Sequence, residues 1–168
     1  MATTPAGELF EPPEPPGEPP GVPEPSEASE PSELSGLPEV TIERAVEWHD
    51  TDAAGHQHHS AILRWVESAE AELLRGLGLS WLFGRTPRIR HEVGYHARLW
   101  FGETVRIRLR VQSVGRTSLR YAFEVHGGAG VAADGVVIIA HAEPHAMSAT
   151  PWPSEVRARL SAAEGRTA

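Results

Sequence analysis

Hydrophobic and polar positions recur with regular periods along most of the chain after residue 38. Residues 40–48 alternate with a period of two, which is typical of a strand with one buried face. From about Ser60 the apolar positions have helical spacing, and they are Ile62, Trp65, Val66, Ala69, Leu73, Leu74 and Leu77. Two glycines, Gly76 and Gly78, predict the end of this helix.

Four further segments have the pattern of strands, and turn signals bound each of them. They cover residues 88–100, 103–114, 118–126 and 131–141. In the second, Val105, Ile107 and Leu109 alternate with arginines, which predicts one buried and one solvated face. A short terminal helix is predicted over Ser154–Leu160, with Ser154 as its N-cap. A strand, a long helix and four consecutive antiparallel strands predict an α+β fold, in which one sheet wraps one helix.

Composition divides the chain into an acidic N-terminal segment and a nearly neutral remainder. Residues 1–38 contain eight glutamates, eleven of the fifteen prolines and no basic residue, which leaves fifteen acidic residues against fifteen arginines elsewhere. The net charge of −8 at pH 7 therefore belongs to the tail. We predict a disordered tail over residues 1–37, one domain over residues 38–147, and a C-terminal extension with a short helix over residues 148–168.

Composition also excludes several chemistries. The chain has no cysteine and no lysine, so disulfides, thiolate zinc sites, thiol nucleophiles, Schiff bases and lysine-containing phosphate loops are ruled out. A nearly neutral domain with an acidic tail argues against nucleic-acid binding. No apolar run approaches the ~20 residues of a membrane span, and no signal peptide is recognisable. We therefore expect a cytoplasmic protein without membrane insertion.

The strongest candidate for chemistry is the loop before the long helix, which reads W-H-D-T-D-A-A-G-H-Q-H-H-S. It holds two aspartates and three histidines within residues 50–59. Asp52 can act as a base or a nucleophile, and the free N–H groups and positive end of the following helix suit a developing anion. The alternative is that Asp50 and Asp52 only form a turn or cap the loop.

The loop histidines also suggest a metal site, because neutral imidazoles beside aspartates are zinc ligands. We predict no metal, since the adjacent His58 and His59 project in different directions and no spaced metal-binding motif supports them. His56 and His58 are interpreted as polar residues of the loop or pocket. Three later histidines have no recognisable partner and are interpreted as strand residues; they are His126, His141 and His145.

Together these segments resemble the hotdog-fold acyl-CoA thioesterases. Within that fold they are most similar to the 4-hydroxybenzoyl-CoA thioesterase-like group, which includes the Tol–Pal-associated thioesterases. The loop and helix carry D-T-D-A-A-G-H-x-H-H-S-A-x-L-R-W-V-E and L-R-x-L-G. V-G-Y-H-A-R-L-W-F-G-E-T-V resembles the family's second strand and its turn into the third, and V-G-R-T-S-L-R-Y-A-F-E-V its third-to-fourth strand region. The likeness covers residues 40–147.

The resemblance implies site residues by position. It places the catalytic carboxylate on Asp52 and the helix-start position on His59, whose backbone N–H would face the thioester carbonyl and whose side chain would assist. Trp48 stands where the group often has a tyrosine. Another branch of the fold uses a helix glutamate, but we interpret Glu67 as solvated or facing a neighbouring subunit. The predicted oxyanion and substrate-binding residues are Gly55, His59, Ser60, Trp48, Arg116, Thr117 and Ser118.

Residues 116–118 are included because a bidentate arginine suits the nucleotide phosphates of coenzyme A; a simple hairpin turn is the alternative. The implied activity is hydrolysis of an acyl-CoA or acyl-carrier-protein thioester, with coenzyme A as part of the substrate and no separate cofactor. The alternatives are a 3-hydroxyacyl thioester dehydratase and a non-catalytic acyl-binding or scaffold module. We expect a homodimer or homotetramer, because one sheet around one helix leaves strand edges uncovered.

Overall fold

The computed structural model describes residues 36–161, which form one antiparallel sheet, one long helix and one short helix. The strands are β1 (Glu39–Ala45), β2 (Arg88–Tyr95), β3 (Thr104–Val114), β4 (Ser118–Gly127) and β5 (Gly130–Ala140). The helices are α1 (His59–Gly76) and α2 (Ser154–Leu160). The predicted α+β class is confirmed. Nearly all of the predicted tail, residues 1–35, lies outside the described residues, as does the end of the predicted C-terminal extension.

The sheet has the strand order β1-β3-β4-β5-β2, and every neighbouring pair is antiparallel. The four strands that follow α1 along the chain are all antiparallel, as predicted, and β2 pairs with β5. The sequence left this pairing open, because periodicity determines where strands occur and not which strands they pair with. Strands β1 and β2 are therefore the two edges of the sheet.

Two predicted strands are longer than the strands that form. The segment predicted over residues 40–48 leaves the sheet after Ala45, and a single 3-10 turn follows over Trp48–Asp50. The segment predicted over residues 88–100 leaves it after Tyr95. The chain beyond Tyr95 instead packs on the loop before α1, where His56 and Trp100 form an isolated antiparallel bridge. At both points the chain leaves the sheet and continues into the region around the loop before α1.

The apolar face of α1 packs against the sheet, as its periodicity predicts. Its buried apolar residues are Ala61, Ile62, Trp65, Val66, Ala69, Leu73 and Leu74. They share one core with the inward side chains of β3, β4 and β5 and with Trp152, Val156 and Leu160 of the C-terminal segment. Burial of each large apolar side chain contributes about 1.5–3 kcal/mol. No helix in the described part of the chain is long and apolar enough to span a membrane.

The prediction that glycines end α1 is confirmed at Gly78. Gly78 has φ +67°, a left-handed conformation that favours glycine. Its N–H donates to the Arg75 carbonyl at 2.9 Å, and the Leu79 N–H donates to the Leu74 carbonyl at 2.7 Å, which is the Schellman pattern. The Arg159 side chain of α2 donates to the Leu77 carbonyl at 2.8 Å. The chain after α1 is thereby tied to the C-terminal helix.

Two predictions about the C-terminal region are wrong. Ser154 begins α2 rather than capping it; the N-cap is Pro153, and no side-chain cap bond is present. His141 is buried instead of lying on a strand without partners. Its ring stacks on Trp152 with 4.9 Å between centroids, and Nδ1 lies 3.1 Å from the Pro151 carbonyl oxygen. The C-terminal segment that covers this histidine could not be recognised from strand periodicity.

Candidate active site

The loop between β1 and α1 closes tightly around Asp52. The Asp52 N–H donates to the His56 carbonyl at 3.1 Å, and the Gly55 N–H donates to the Asp52 carbonyl at 3.0 Å. Gly55 has φ +80°, so the turn requires a residue that tolerates the left-handed region. The Ala54 N–H donates to Asp52 Oδ1 at 2.8 Å. This bond orients the exposed carboxylate, and the hydrogen bonds of the described residues leave its Oδ2 free.

The other aspartate of the loop, Asp50, is buried, and both of its carboxylate oxygens accept hydrogen bonds. It is only 3% exposed. Its Oδ1 accepts from Arg64 at 2.7 Å, and its Oδ2 accepts from Trp65 Nε1 at 3.3 Å and from the Glu47 N–H at 3.1 Å. Burial alone would raise the pKa of Asp50, but these hydrogen bonds hold the pKa below its ordinary value of 3.8. The alternative interpretation of a structural aspartate therefore fits Asp50.

Helix α1 begins at His59, and His58 is its N-cap. His58 Nδ1 accepts from the Ser60 N–H at 3.2 Å, and the same nitrogen lies 2.8 Å from the Ser60 hydroxyl. The Ser60 N–H is therefore occupied by the cap. The His59 N–H has no acceptor among the described residues. As the first donor of the helix it is free to bind an anionic oxygen.

Asp52 and His59 open into one cleft of about 460 Å³ at the end of β2. The loop and helix supply Asp52, His56, Gln57 and His59, and the segment after β2 supplies Tyr95, His96, Ala97 and Arg98. The Tyr95 hydroxyl donates to the His59 carbonyl at 2.9 Å, which fixes the helix start to the strand end. Burial raises the pKa of Tyr95, so the phenol keeps its proton at neutral pH.

Several residues of this cleft were not predicted. Gln57 is 6% exposed and binds the segment after β2 through both backbone and side chain. His96 Nε2 lies 3.0 Å from Asp134 Oδ1 of β5. Arg98 brings a cation to the wall of the cleft. No spacing in the sequence marks His96 and Arg98, because they reach the site only through pairing of β2 with β5 and packing of residues 96–100 on the loop. Gln57 lies within the loop motif, but its contacts with the distant segment after β2 are set by the same packing.

The structure brings together only part of the predicted set. Asp52, Gly55, His59 and Ser60 lie in one loop and helix start, and Asp52 and His59 share the cleft. Trp48 is 78% exposed and packs edge-to-face on Phe101, with 6.1 Å between ring centroids. It does not line the cleft.

Residues 116–118 lie at the opposite end of the sheet within one chain. Ser118 pairs with Ala140, whereas Tyr95 at the cleft pairs with Ala133. Backbone carbonyls of this turn accept from the C-terminal segment: the Trp152 N–H donates to Arg116 at 3.0 Å, and its indole N–H donates to Ser118 at 3.1 Å. Within one chain these residues do not meet Asp52.

The three loop histidines do not gather around one point, although two of their rings lie side by side. His56 Nδ1 lies 3.0 Å from the Gln57 carbonyl oxygen, and His58 is engaged in capping α1. The rings of His58 and His59 lie 4.0 Å apart with a tilt of 40°. Across residues 36–161, no group of three His, Cys, Asp or Glu side chains is placed to hold a metal ion.

Residues 46–160 match the family described as the thioesterase-like superfamily. The chain belongs to this superfamily. A comparison with functionally curated proteins finds no significant match. Since the match covers the Asp52 loop, both helices and strands β2 to β5, it supports thioester hydrolysis as the general activity of this thioesterase-like protein.

Solved structures share the fold. A predicted thioesterase from Bacillus stearothermophilus is 24% identical, with a TM-score of 0.67 over 73% of this chain and 93% of that one. A Thermus thermophilus thioesterase complexed with coenzyme A and zinc is 25% identical, with a TM-score of 0.66 over 76% and 95% of the chains. A mutant 4-hydroxybenzoyl CoA thioesterase complexed with 4-hydroxybenzoyl CoA is 16% identical, with a TM-score of 0.66 over 74% and 99%. The predicted hotdog fold is confirmed.

Proposed function

We propose that this thioesterase-like protein hydrolyses an acyl-CoA or acyl-carrier-protein thioester to the free acid and thiol. One observation carries the proposal: Asp52, an oriented carboxylate with a free oxygen, and His59, a helix-start residue whose N–H has no acceptor among the described residues, line the same cleft. Thioester hydrolysis needs a nucleophile or activated water, and it needs stabilisation of negative charge on the carbonyl oxygen. Asp52 and His59 supply these two functions.

Asp52 can act in two ways. It can attack the thioester carbon, so that the thiolate leaves and water then cleaves the mixed anhydride, or it can remove a proton from an attacking water. In both routes the carbonyl oxygen becomes negative and accepts from the His59 N–H. One such donor is worth on the order of 10²–10³ in rate. The His59 side chain, at the same cleft, can give a proton to the leaving thiolate.

Coenzyme A and the pantetheine arm of a carrier protein present the same thioester, so the cleft accommodates either substrate. Arg98 is the arginine of this chain that lines the cleft, and it can contact a phosphate or pyrophosphate group there. Residues 116–118 can serve this role only from another subunit, because in their own chain they lie at the far end of the sheet. The Tol–Pal-associated subgroup and the cytoplasmic location stay predictions.

The proposed function includes a homodimer formed through β2. This strand is a sheet edge, and Ile89 on it is 60% exposed. A two-fold pairing of β2 with a second copy would cover the edge and continue the sheet. Antiparallel pairing brings the start of one β2 beside the end of the other. The Asp52 cleft at Tyr95 would then adjoin the region around Arg88 of the partner subunit. Pairing of two such dimers would give the tetramer.

The test is thiol release from a panel of acyl-CoA and acyl-carrier-protein thioesters. The panel should vary chain length and include aromatic acyl groups, with a chromogenic thiol reagent as readout. Release above the uncatalysed rate, abolished in Asp52→Asn, is expected. Complete inactivity on both carriers, together with measurable acyl-CoA binding, would favour the non-catalytic acyl-binding module instead.

A dehydratase acting on 3-hydroxyacyl thioesters is the second candidate, and one observation favours it. That chemistry uses a histidine and an acid, and His96 lies 3.0 Å from Asp134 with its ring at the Asp52 cleft. Hydration and dehydration leave the thioester intact and change the absorbance of the enoyl group. Enoyl formation from 3-hydroxyacyl-CoA without thiol release would identify this activity.

A further inference from the structure

His96 and Asp134 form a hydrogen-bonded pair at the candidate active site. His96 Nε2 lies 3.0 Å from Asp134 Oδ1, and His96 lines the cleft that Asp52 and His59 also line. Its side chain is 49% exposed, so water in the cleft reaches the imidazole. An ionised aspartate accepts hydrogen bonds but cannot donate them, so Nε2 carries the proton. The other ring nitrogen, Nδ1, therefore keeps a lone pair that can accept a proton.

The pair is held in place by strand β5. The N–H groups of His96 and Ala97 donate to the Ala132 carbonyl at 2.8 and 3.1 Å. Asp134 lies two positions further along β5 and is opposite Gly94 of β2. A Cβ atom at Gly94 would lie 2.8 Å from Asp134 Oδ1 and 3.3 Å from the His96 ring, so glycine leaves room for the two side chains to meet. Both the backbone and the ring of His96 are thus fixed to the same strand.

His96 differs from the other titratable residues of the cleft. His56 Nδ1 lies 3.0 Å from a backbone carbonyl oxygen, and the Tyr95 hydroxyl donates to the carbonyl of His59. Among residues 36–161, His96 is the only histidine of this cleft whose ring nitrogen lies within hydrogen-bond distance of a carboxylate. Such a carboxylate fixes the tautomer and stabilises the imidazolium that forms when the other nitrogen takes a proton.

The nucleophilic route to hydrolysis requires a second proton acceptor besides Asp52. When Asp52 attacks the thioester carbon, the thiolate leaves and the carboxylate becomes part of a mixed anhydride. In that state Asp52 cannot take a proton from water. Another group at the cleft must act as the base for the water that cleaves the anhydride.

We propose that His96, oriented by Asp134, is the general base of this second step. Nδ1 of His96 takes a proton from water while the water oxygen attacks the acyl carbon of the anhydride. The bond between that carbon and the Asp52 oxygen then breaks, which releases the carboxylic acid and regenerates the Asp52 carboxylate. The imidazolium gives its proton to the thiolate or to solvent. The His59 N–H donates to the negatively charged oxygen in both steps.

The inference rests on the proposed thioesterase function and commits Asp52 to the nucleophilic route. The test is rapid-mixing measurement of thiol release with the best acyl-CoA substrate of the panel. For His96→Asn we expect a burst of about one thiol per active site, since acyl-enzyme accumulates when its hydrolysis is slow. The steady-state rate should then be at least ~10²-fold below that of the wild type, the usual scale for a general base.

The accumulated species can be identified directly. Acylated Asp52 should appear as a mass increase of the intact His96→Asn protein, and hydroxylamine should trap its acyl group as the hydroxamate. Asp134→Asn should give the same burst with a smaller loss of the steady-state rate, because it removes the orienting group and leaves the base. Added imidazole should restore part of the turnover of His96→Ala, which it would not do if His96 had only a structural role.

His126→Asn is the matched control. His126 Nε2 lies 3.1 Å from Glu124 Oε2 on β4 in a pair of similar exposure, and neither residue lines the Asp52 cleft. This variant should release thiol at the wild-type rate and without a burst. Melting temperatures of all variants measure whether each one is folded.

The possible failures are distinguishable. Wild-type turnover in His96→Asn would overturn this role and leave hydrolysis at Asp52 intact. Slower turnover of His96→Asn without a burst and without trapped acyl-enzyme would do the same, because it would indicate direct attack of water on the thioester. Absence of thiol release by the wild type from every thioester of the panel would overturn the proposed function, and this role with it.

Discussion

The side-chain carbonyl oxygen of Gln57 accepts a hydrogen bond of 2.6 Å from the Leu99 N–H. The backbone completes the link, since the Gln57 N–H donates to the Leu99 carbonyl at 2.8 Å. Both residues are buried. This pair joins the loop that carries Asp52 to the segment that carries Tyr95 and His96, so the two walls of the candidate active site are hydrogen-bonded to each other.

Replacing Gln57 should therefore disturb catalysis more than binding. Gln57→Met keeps the length of the side chain and the backbone bond to Leu99 but removes the side-chain bond, and small displacements of reacting groups reduce rates strongly. We expect kcat to fall by about tenfold or more with a smaller change in KM, measured with the best substrate of the panel. Gln112→Met on β3, which loses an amide bonded to Arg120 at 2.7 Å away from the cleft, is the control. Equal effects of the two variants would argue against a positioning role.

Asp52→Asn should leave the protein folded and oligomeric but lower turnover by at least ~10²-fold, the usual scale for a positioned acid, base or nucleophile. The carboxylate is exposed and its one hydrogen bond comes from the Ala54 N–H, so asparagine fits the same turn. Turnover and thermal melting measured on the same preparation test this. Hydrolysis near the wild-type rate would remove Asp52 from the mechanism.

Asp50→Asn should show the opposite behaviour, with a clear loss of stability. It removes a buried charge that accepts from Arg64 and Trp65, and hydrogen bonds to charged groups contribute about 1.5–3 kcal/mol. We expect the free energy of unfolding to fall by about that amount at pH 7, measured by urea denaturation. Any change in turnover should follow the loss of folded protein.

The effect of Asp50 should depend on pH in a defined direction. Its folded pKa lies below the ordinary value of 3.8, so its contribution is fully present above that value and is lost as the pH falls through the folded pKa. The difference in unfolding free energy between wild type and Asp50→Asn should be constant near neutral pH and shrink below about pH 4. A difference that grows on acidification would contradict this assignment.

The proposed dimer can be tested at the edge strand. Ile89→Asp places a charge at an exposed apolar position of β2 and should weaken the dimer, with thiol-release activity lost at low protein concentration. Light scattering and activity over a dilution series measure both. Val131→Asp, at an exposed apolar position of β5, is the matched control and should keep the wild-type mass. A fully active wild-type particle of monomer mass would refute the shared site.

Deletion of residues 1–36 should change neither folding nor turnover, because only eight of these residues are apolar and three of the eight are alanines. The cut must spare Leu37, which packs against the core, and Pro38, whose carbonyl accepts from the Val111 N–H at 2.9 Å. Melting temperature and kcat of the truncated protein provide the test. A large fall in either would show that the removed segment contacts the folded domain.

The sequence by itself determined the features that depend on neighbours along the chain. The period of α1 identified its buried face, Gly78 marked its end, and the loop motif identified Asp52 and His59, seven positions apart, as candidate site residues. The first two follow from local geometry, namely the 3.6-residue repeat and a positive φ. The resemblance placed the catalytic carboxylate on Asp52, while the residues alone also allowed both Asp50 and Asp52 to be turn residues.

Only the tertiary structure decided the features that depend on distant partners. It bound Asp50 to Arg64, a residue fourteen positions away, and it paired β2 with β5. That pairing brings Tyr95, His96 and Arg98 to the cleft and leaves Arg116 at the other end of the sheet. Strand periodicity is the same for every choice of neighbour, so the partners of β2, and with them half of the site, are set by packing across the whole fold.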